Sequence, residues 1–201
     1  MKISNNTLFK DIRSHEISDR ARVSTISRKE YTILDIETTG MHSDITELAA
    51  LRIRSGEIKA CFHTLVKPKG KMEKRVVELT GITPSLVKKA PVIADVLPGF
   101  IRFLGDDILM GHGLDSDLII LDRNLLALGK PLVRNSYVDT NTLSRQVIPE
   151  ELVEKKYSVQ RLCLYYQLPY YHFHRALADC KAEKAVFEAL VKDRKSRKNN
   201  L

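Results

Sequence analysis

Residues 31–40 of the chain read YTILDIETTG, an apolar run that ends in two acids and a turn. The composition of Tyr31 to Leu34 predicts a strand buried on both faces. Asp35 and Glu37 stand two positions apart, so on a strand their side chains point the same way. Two such carboxylates repel each other, and Mg²⁺ or Mn²⁺ is the usual compensation for hard oxygen ligands. Residues 38–40 (TTG) predict a turn, and the alternative to a metal site is a solvated acidic turn.

The bulk composition favours a single basic domain that binds an anionic partner. The chain has 201 residues, of which 43% are hydrophobic, enough for a normal core, and its net charge is +8. This charge favours nucleic acid as partner, the alternative being a protein that is merely basic. Cys61, Cys163 and Cys180 are odd in number and form no C-x-x-C pair, which indicates reduced thiols. No membrane-length apolar run or signal core is visible, so a cytoplasmic location is expected.

The first third of the chain predicts an antiparallel meander. Residues 45–53 and 58–66 are apolar enough for a second and a third strand, and Arg54–Glu57 between them (RSGE) is a hairpin signal. The acidic strand therefore leads a three-stranded antiparallel unit.

The rest of the chain alternates helices with short strands. Helical patterns cover residues 73–79, 83–85, 91–104, 115–128, 142–147, 158–166 and 175–191, and short strands are predicted over 108–112 and 137–140. A meander followed by alternating helices and strands predicts an α/β fold, a mixed sheet of the ribonuclease-H-like type flanked by helices.

The tails are predicted to lie outside this domain. Residues 1–29 form a polar N-terminal arm, for which a solvated, partly disordered segment is favoured over a short helix or a nucleic-acid contact. The domain itself spans residues 30–191, and residues 192–201 form a basic, frayed C-terminal tail.

Three further polar residues, Asp117, His174 and Asp179, indicate a functional site only when they are considered together. Asp117 lies in the first turn of the predicted helix 115–128, where an acid is favourable, and Asp115 is the better N-cap candidate. His174 and Asp179 are five residues apart, a rotation of about 140° on a helix, so they converge only if His174 lies on the loop before it. Taken singly, Asp117 is typical of a first-turn acid and His174 of a capping or surface histidine.

Together the motifs resemble those of the DEDD exonuclease superfamily, in its histidine-bearing DEDDh branch. That branch includes the epsilon proofreading subunit of bacterial DNA polymerase III. The first motif is Asp35–Gly40 (DIETTG), the second is His112–Leu121 with Asp117 at its acidic position, and the third is His174–Asp179 (HRALAD). Gly113 and Ser116 replace the Asn and Phe common in the second motif. Neither position is a metal ligand, so this departure bears on substrate preference.

The resemblance implies a metal-dependent 3′–5′ exonuclease. It would hydrolyse phosphodiester bonds at single-stranded or frayed 3′ ends of DNA and release nucleoside monophosphates, in proofreading with a DNA polymerase partner or in repair. Two Mg²⁺ ions, or Mn²⁺ as a substitute, would lie roughly 3.5–4 Å apart. The implied metal ligands are Asp35, Glu37, Asp117 and Asp179. His174 is the implied general base, since a pKa near 6.5 suits proton transfer at neutral pH.

The substrate-binding side is also assigned from the resemblance. The residues implied to bind substrate are Thr38, Thr39, Gly40, Leu79 and His112. For His112 a structural role is the preferred alternative. Two rival functions stay open: a 3′–5′ exoribonuclease that trims RNA, and a nucleic-acid-binding module without catalysis. The sequence does not separate DNA from RNA, because sensing a 2′-hydroxyl depends on local contacts.

Overall fold

The computed structural model describes residues 4–15, 30–40, 44–154, 156–169 and 172–199. A five-stranded mixed sheet in the order β3-β2-β1-β4-β5 forms its centre. The strands are β1 Tyr31–Thr38, β2 Ile45–Arg54, β3 Glu57–Leu65, β4 Leu109–Gly111 and β5 Tyr137–Asp139. The acidic strand β1 is thus the middle strand of the sheet.

The predicted meander is confirmed. β1 pairs antiparallel with β2, and β2 pairs antiparallel with β3. The β2–β3 hairpin turns at Ser55 and Gly56, which have φ of 54° and 81°. Two successive positive φ angles match the right-handed twist of the paired strands, which explains why a Ser-Gly pair ends this hairpin.

The helices flank the sheet on both faces. They are α1 Asn5–Arg13, α2 Lys74–Thr80, α3 Pro84–Val87, α4 Ile93–Leu104, α5 Leu114–Ala127, α6 Thr140–Val147, α7 Val159–Tyr165 and α8 Ala176–Asn199, with a 3₁₀ turn at Glu150–Val153. Within the described ranges, no helix has both the length and the hydropathy needed to cross a membrane.

Strand alternation divides the core into two layers. Tyr31 and Ile33 of β1 belong to the cluster that includes residues of α6, α7 and α8. Leu34 and Ile36 belong to the opposite cluster, which includes residues of α1, α4 and α5. Odd-numbered residues of β1 therefore face α8. Asp35 and Glu37 continue that odd-numbered series, so the acids are directed to the α8 side of the sheet.

Both predicted tails differ from the structure. The N-terminal arm contains helix α1, whose Leu8 and Ile12 are buried and which packs against α5. Residues 16–29 of the arm lie outside the described part of the chain. The last helix does not fray after Val191 but continues to Asn199, where an ion pair between Arg197 and Asp193 stabilises its end. The domain boundaries at residues 30 and 191 stay predictions.

Candidate active site

The acids of β1 lie where the sheet is open on one side. β4 pairs with β1 only at Thr32 and Ile33 and ends at Gly111. Beyond that point the one described strand that pairs with β1 is β2, which does so as far as Thr38. Asp35 and Glu37 therefore lie at the edge where β4 gives way to the turn before α5.

Helix α8 brings a third acid to the same place. It packs against β1 and β2, and small buried residues at Ala176, Cys180 and Ala182 allow it to approach the sheet closely. The structure brings Asp35, Glu37 and Asp179 together: one carboxylate oxygen of each lies within 4.8 Å of those of the other two. These three side chains are partly exposed.

Asp117 lies near this group but is not part of it. Its charge raises the pKa of Asp35, and the charge of Glu37 raises the pKa of Asp117, which places it beside the other acids. The prediction that Asp115 caps this helix is wrong. The cap position is Gly113, with φ of 71°. The carboxylate of Asp139 accepts the N–H of Leu114 at 2.8 Å and satisfies the helix end from β5.

Burial and mutual repulsion raise the pKa values of the acids in the cluster. Burial raises the pKa of Asp35 and of Asp117 well above the usual range, and neighbouring acids raise them further. Burial, with the charge of Asp179, raises the pKa of Glu37 to about 8, and burial raises the pKa of Asp179 to about 6. A cation between them would remove this penalty. A set of carboxylate oxygens fits Mg²⁺ or Mn²⁺, so the residues present suit the implied metal.

Glu183 is a further acid that the sequence analysis missed. It follows Asp179 by one helical turn on α8 and is 2% exposed. Its Oε1 accepts the N–H of His112 at 3.1 Å, whereas its Oε2 has no hydrogen-bond partner among the described residues. Burial and the charges of Asp117 and Asp179 raise its pKa well above the usual range. The i, i+4 spacing from Asp179 was the signal that could have identified it.

His174 lies on the loop before α8, the condition under which it converges with Asp179. Its φ of 64° reverses the chain two residues before the helix begins. The carboxylate of Asp179 folds back onto this loop and accepts the N–H of Arg175 at 3.1 Å. The imidazole is exposed and faces solvent beside the acids.

Glu47 of β2 anchors this loop to the sheet, and the sequence analysis also missed it. It is 0% exposed. It accepts two hydrogen bonds from the guanidinium of Arg175, at 3.0 and 2.8 Å, one from the N–H of Ala176 at 3.0 Å and one from His63 at 2.7 Å. Burial raises the pKa of Glu47, but these bonds outweigh it and the net shift is downward, so the residue is charged. A lone acid inside an apolar strand was the available signal.

The turn after β1 is fixed by main-chain contacts. The Thr38 hydroxyl donates to the carbonyl of Gly40 at 2.8 Å, and Thr39 is buried. The Thr39 carbonyl accepts the N–H of Glu73 at 3.0 Å. Gly40 has a φ of 154°, a conformation that favours glycine, and a Cβ there would also require the Glu73 side chain to move. Leu79 of α2 is 50% exposed, an unusual position for a leucine in a short helix.

His112 has the contacts of a structural residue. The hydroxyl of Thr140 donates to the carbonyl of Gly111 and therefore accepts from Nδ1 of His112, at 3.0 Å. Nε2 of His112 lies 3.1 Å from the side-chain amide nitrogen of Asn141 and accepts a hydrogen bond from it. Burial lowers the pKa of His112, in agreement with a neutral ring. Both ring nitrogens are used within the protein, which favours the structural alternative.

Comparison with known proteins gives one consistent match. The profile of the exonuclease family RNase_T matches residues 32–187. The PolC-type DNA polymerase III of Clostridium perfringens is 34% identical over 169 residues, which are 83% of this chain and 11% of that protein. The chain thus corresponds to about a ninth of the length of that relative. The epsilon subunit of DNA polymerase III from Aquifex aeolicus is 31% identical over 81% of each chain.

Solved structures agree with this match. Exonuclease X in complex with 5′ overhanging duplex DNA is 26% identical, with a TM-score of 0.66 over 80% of this chain and 90% of that one. The nuclease domain of 3′hExo, described as a DEDDh family member, is 18% identical, with a TM-score of 0.70 over 83% of this chain and 94% of that domain. The second likeness concerns the fold alone.

Proposed function

The chain belongs to the RNase_T exonuclease family, and from this premise we propose that it removes nucleoside monophosphates from single-stranded or frayed 3′ ends of DNA. The observation that supports this proposal is the approach of Asp35, Glu37 and Asp179 to within 4.8 Å, from a strand and a helix distant in sequence. As an exonuclease the protein is a hydrolase. The two-metal mechanism and the roles of single residues are our proposals.

We propose that Asp35, Glu37, Asp117 and Asp179 hold two Mg²⁺ ions, with Mn²⁺ as a substitute. When bound, such ions lower the pKa of an attacking water and stabilise the charge on the leaving 3′ oxygen. Burial and the charges of Asp117, Glu37 and Asp179 raise the pKa of Asp35, so Asp35 would hold the ions together with these three acids. Glu183 lies next to this set, and a cation held by the acids would favour its charged form, which burial and the charges of Asp117 and Asp179 otherwise oppose.

His174 is the proposed general base. Its place on the exposed loop lets the imidazole take a proton from the attacking water and pass it to solvent. The buried bonds between Glu47 and Arg175 keep that loop in position. The distance of His174 from the acids is therefore set by the sheet, since Glu47 belongs to β2.

The terminal nucleotide would bind on the other side of the acids. The main-chain groups of Thr38 to Gly40 border the site, and the exposed Leu79 offers an apolar contact to a base. DNA is favoured over RNA as substrate because three of the four proteins named above are a form or a subunit of DNA polymerase III or an exonuclease crystallised with DNA. A polymerase partner and a cytoplasmic location are proposed on the same ground.

One experiment tests the proposal directly. Purified protein is incubated with 5′-labelled single-stranded DNA, and with RNA of the same sequence, in Mg²⁺, in Mn²⁺ and in EDTA. We expect a metal-dependent ladder that shortens from the 3′ end and forms faster on DNA. Asp35→Ala should abolish it, whereas Asp106→Ala, at an exposed acid at the opposite end of β4, should not.

The alternatives have distinct outcomes. A faster ladder on RNA would identify an exoribonuclease. Undiminished cleavage by Asp35→Ala would contradict the proposed site, and binding of either strand without metal-dependent cleavage would indicate a binding module.

A further inference from the structure

A groove rich in lysine lies beside the turn that follows the acidic strand. It is bounded by the loop after β3 and by helix α3, and its volume is about 460 Å³. Its lining includes three lysines and four apolar residues: Lys67, Lys71, Lys88, Pro68, Met72, Pro84 and Val87. We call it the lysine groove. It presents ammonium groups around an apolar floor, and none of the described residues that line it is aromatic.

The charge of this surface is strongly positive. None of the three groove lysines forms an ion pair with another residue that the structure describes. Four more cations lie close to them in sequence, Lys69, Lys74, Arg75 and Lys89. The acids of the same stretch are Glu73 and Glu78, and Glu78 pairs with Lys74 at 3.6 Å. All three groove lysines are exposed, so their attraction for an anion should weaken as the salt concentration rises.

The walls of the groove are fixed by main-chain hydrogen bonds. The N–H groups of Lys69 and Gly70 donate to one carboxylate oxygen of Asp44, at 2.7 and 2.6 Å. The N–H of Lys67 donates to the carbonyl of Pro91 at 2.9 Å and ties the loop to the segment after α3. The groove is therefore formed before any ligand binds, so binding would cost little ordering of the backbone.

The groove lies at the same edge of the sheet as the candidate active site. β3 and β1 are both antiparallel to β2, so their carboxyl ends lie at the same edge of the sheet. Residue 72 of the groove precedes Glu73, whose N–H donates to the carbonyl of Thr39 at 3.0 Å. Thr39 is two residues beyond Glu37. A strand whose 3′ end lies at the acids therefore reaches the groove within a few nucleotides.

We propose that the lysine groove binds the sugar–phosphate backbone of the substrate strand, on the 5′ side of the nucleotide being removed. The ammonium groups would contact phosphates, and Met72, Pro84 and Val87 would contact sugars. The absence of an aromatic platform implies binding that depends on strand length and on salt but little on base sequence. This inference rests on the proposed exonuclease function.

The test compares two matched double variants of the full chain. Lys71→Ala/Lys88→Ala removes two groove charges, and Lys130→Ala/Lys195→Ala removes two exposed charges from the opposite end of the molecule. Each protein is assayed on a thymidine dinucleotide and on a thymidine oligonucleotide about a dozen nucleotides long. Affinity for the long strand is measured by fluorescence anisotropy in the Asp35→Ala background, over a range of salt concentrations.

We expect the ratio of kcat/KM on the long strand to kcat/KM on the dinucleotide to fall about tenfold in the groove variant and to stay constant in the control. The slope of log affinity against log salt should become shallower by about 1.4, since two phosphate contacts are lost at about 0.7 each. Lys71→Arg/Lys88→Arg, which keeps both charges, should restore most of the affinity.

The outcomes separate this inference from the function on which it rests. If the parent protein cleaves both substrates and the groove variant keeps its length ratio and salt slope, the groove does not bind the strand. Equal losses in the groove and control variants would also overturn it, because they indicate a general charge effect. If the parent protein cleaves neither substrate, the exonuclease proposal fails. The anisotropy measurement then shows separately whether the groove binds the strand.

Discussion

At the scale of single residues, the site combines acids that repel each other with a histidine held at their edge. Asp35 and Glu37 share one side of β1, and Asp179 completes the group from α8. The loop of His174 has a left-handed φ at a non-glycine residue, which costs free energy and is retained only where the surroundings enforce it. Here the enforcing contacts are those of Glu47 with Arg175 and Ala176.

His174→Ala tests the general base. We expect kcat to fall about 10²-fold or more, because the attacking water loses its proton acceptor. The unfolding midpoint should change little, since the side chain is exposed. The matched control is His172→Ala, at another exposed histidine two residues earlier. A wild-type rate for His174→Ala would remove this residue from the mechanism.

Glu47→Gln tests the anchor of the loop. The change keeps the size of the side chain but removes its charge, so we expect a loss of about 2 kcal/mol in the free energy of unfolding. We also expect kcat to fall, because His174 loses its fixed position. Urea unfolding and steady-state kinetics measure the two effects.

A double-mutant cycle shows whether Glu47 acts through Arg175. The double variant Glu47→Gln/Arg175→Gln should lose less stability than the sum of the two single variants, since the partners form one interaction. Strict additivity would mean that the two residues act independently.

At the scale of elements, the corner between β4 and α5 controls the spacing of the acids. Gly111 ends β4, and a Cβ there would lie 3.0 Å from the main-chain oxygen of Leu34 and 2.9 Å from Cδ1 of Leu114. Leu34 precedes Asp35, and Leu114 begins the helix that carries Asp117. A side chain at this position would therefore separate the two elements that carry these acids.

Gly111→Ala should consequently harm both stability and activity. We expect the free energy of unfolding to fall by about 1–3 kcal/mol from overpacking, and kcat to fall with it. Gly99→Ala in α4 is the matched control: its nearest contact would be an ordinary 3.8 Å, and alanine in a helix should stabilise the protein slightly. Equal stability of the two variants in urea unfolding would contradict this account of the corner.

At the scale of the whole molecule, a net charge of +8 surrounds an acidic centre. The basic surface attracts a polyanion, and the centre repels its phosphates until cations are bound. The acids have a second effect, on stability. A carboxyl group whose pKa is higher in the folded state than in the unfolded chain stabilises the fold only while it is protonated, so its contribution is lost as pH rises through the folded pKa.

The stability of the metal-free protein should therefore fall between pH 4.5 and about pH 8, the unfolded and folded pKa values of Glu37. Mg²⁺ should raise the Tm more at pH 8 than at pH 6, because it binds the deprotonated acids. Thermal unfolding with Mg²⁺ or EDTA at both pH values measures this. Glu37→Gln should show a weaker pH dependence, and equal Mg²⁺ shifts at the two pH values would contradict a carboxylate site.

The amino-acid sequence was sufficient for the fold class, the exonuclease family and the placing of most elements. Apolar alternation and turn residues are local signals, and they predicted the meander, the hairpin at Ser55–Gly56 and the helix that ends at Gly81. The family identification rested on three ordered motifs and is confirmed by the match over residues 32–187. The roles of single residues stay predictions.

Long-range packing accounts for the rest, because it depends on which elements meet. Glu47 is an isolated acid in its strand, and besides His63 its partners come from the start of α8, more than a hundred residues later. Glu183 shares a helical face with Asp179, but its burial depends on the His112 turn. The lysine groove likewise needs the β3 loop and α3 side by side. Local sequence patterns do not predict such contacts, because the burial and the partners of these residues depend on neighbours that are distant in sequence.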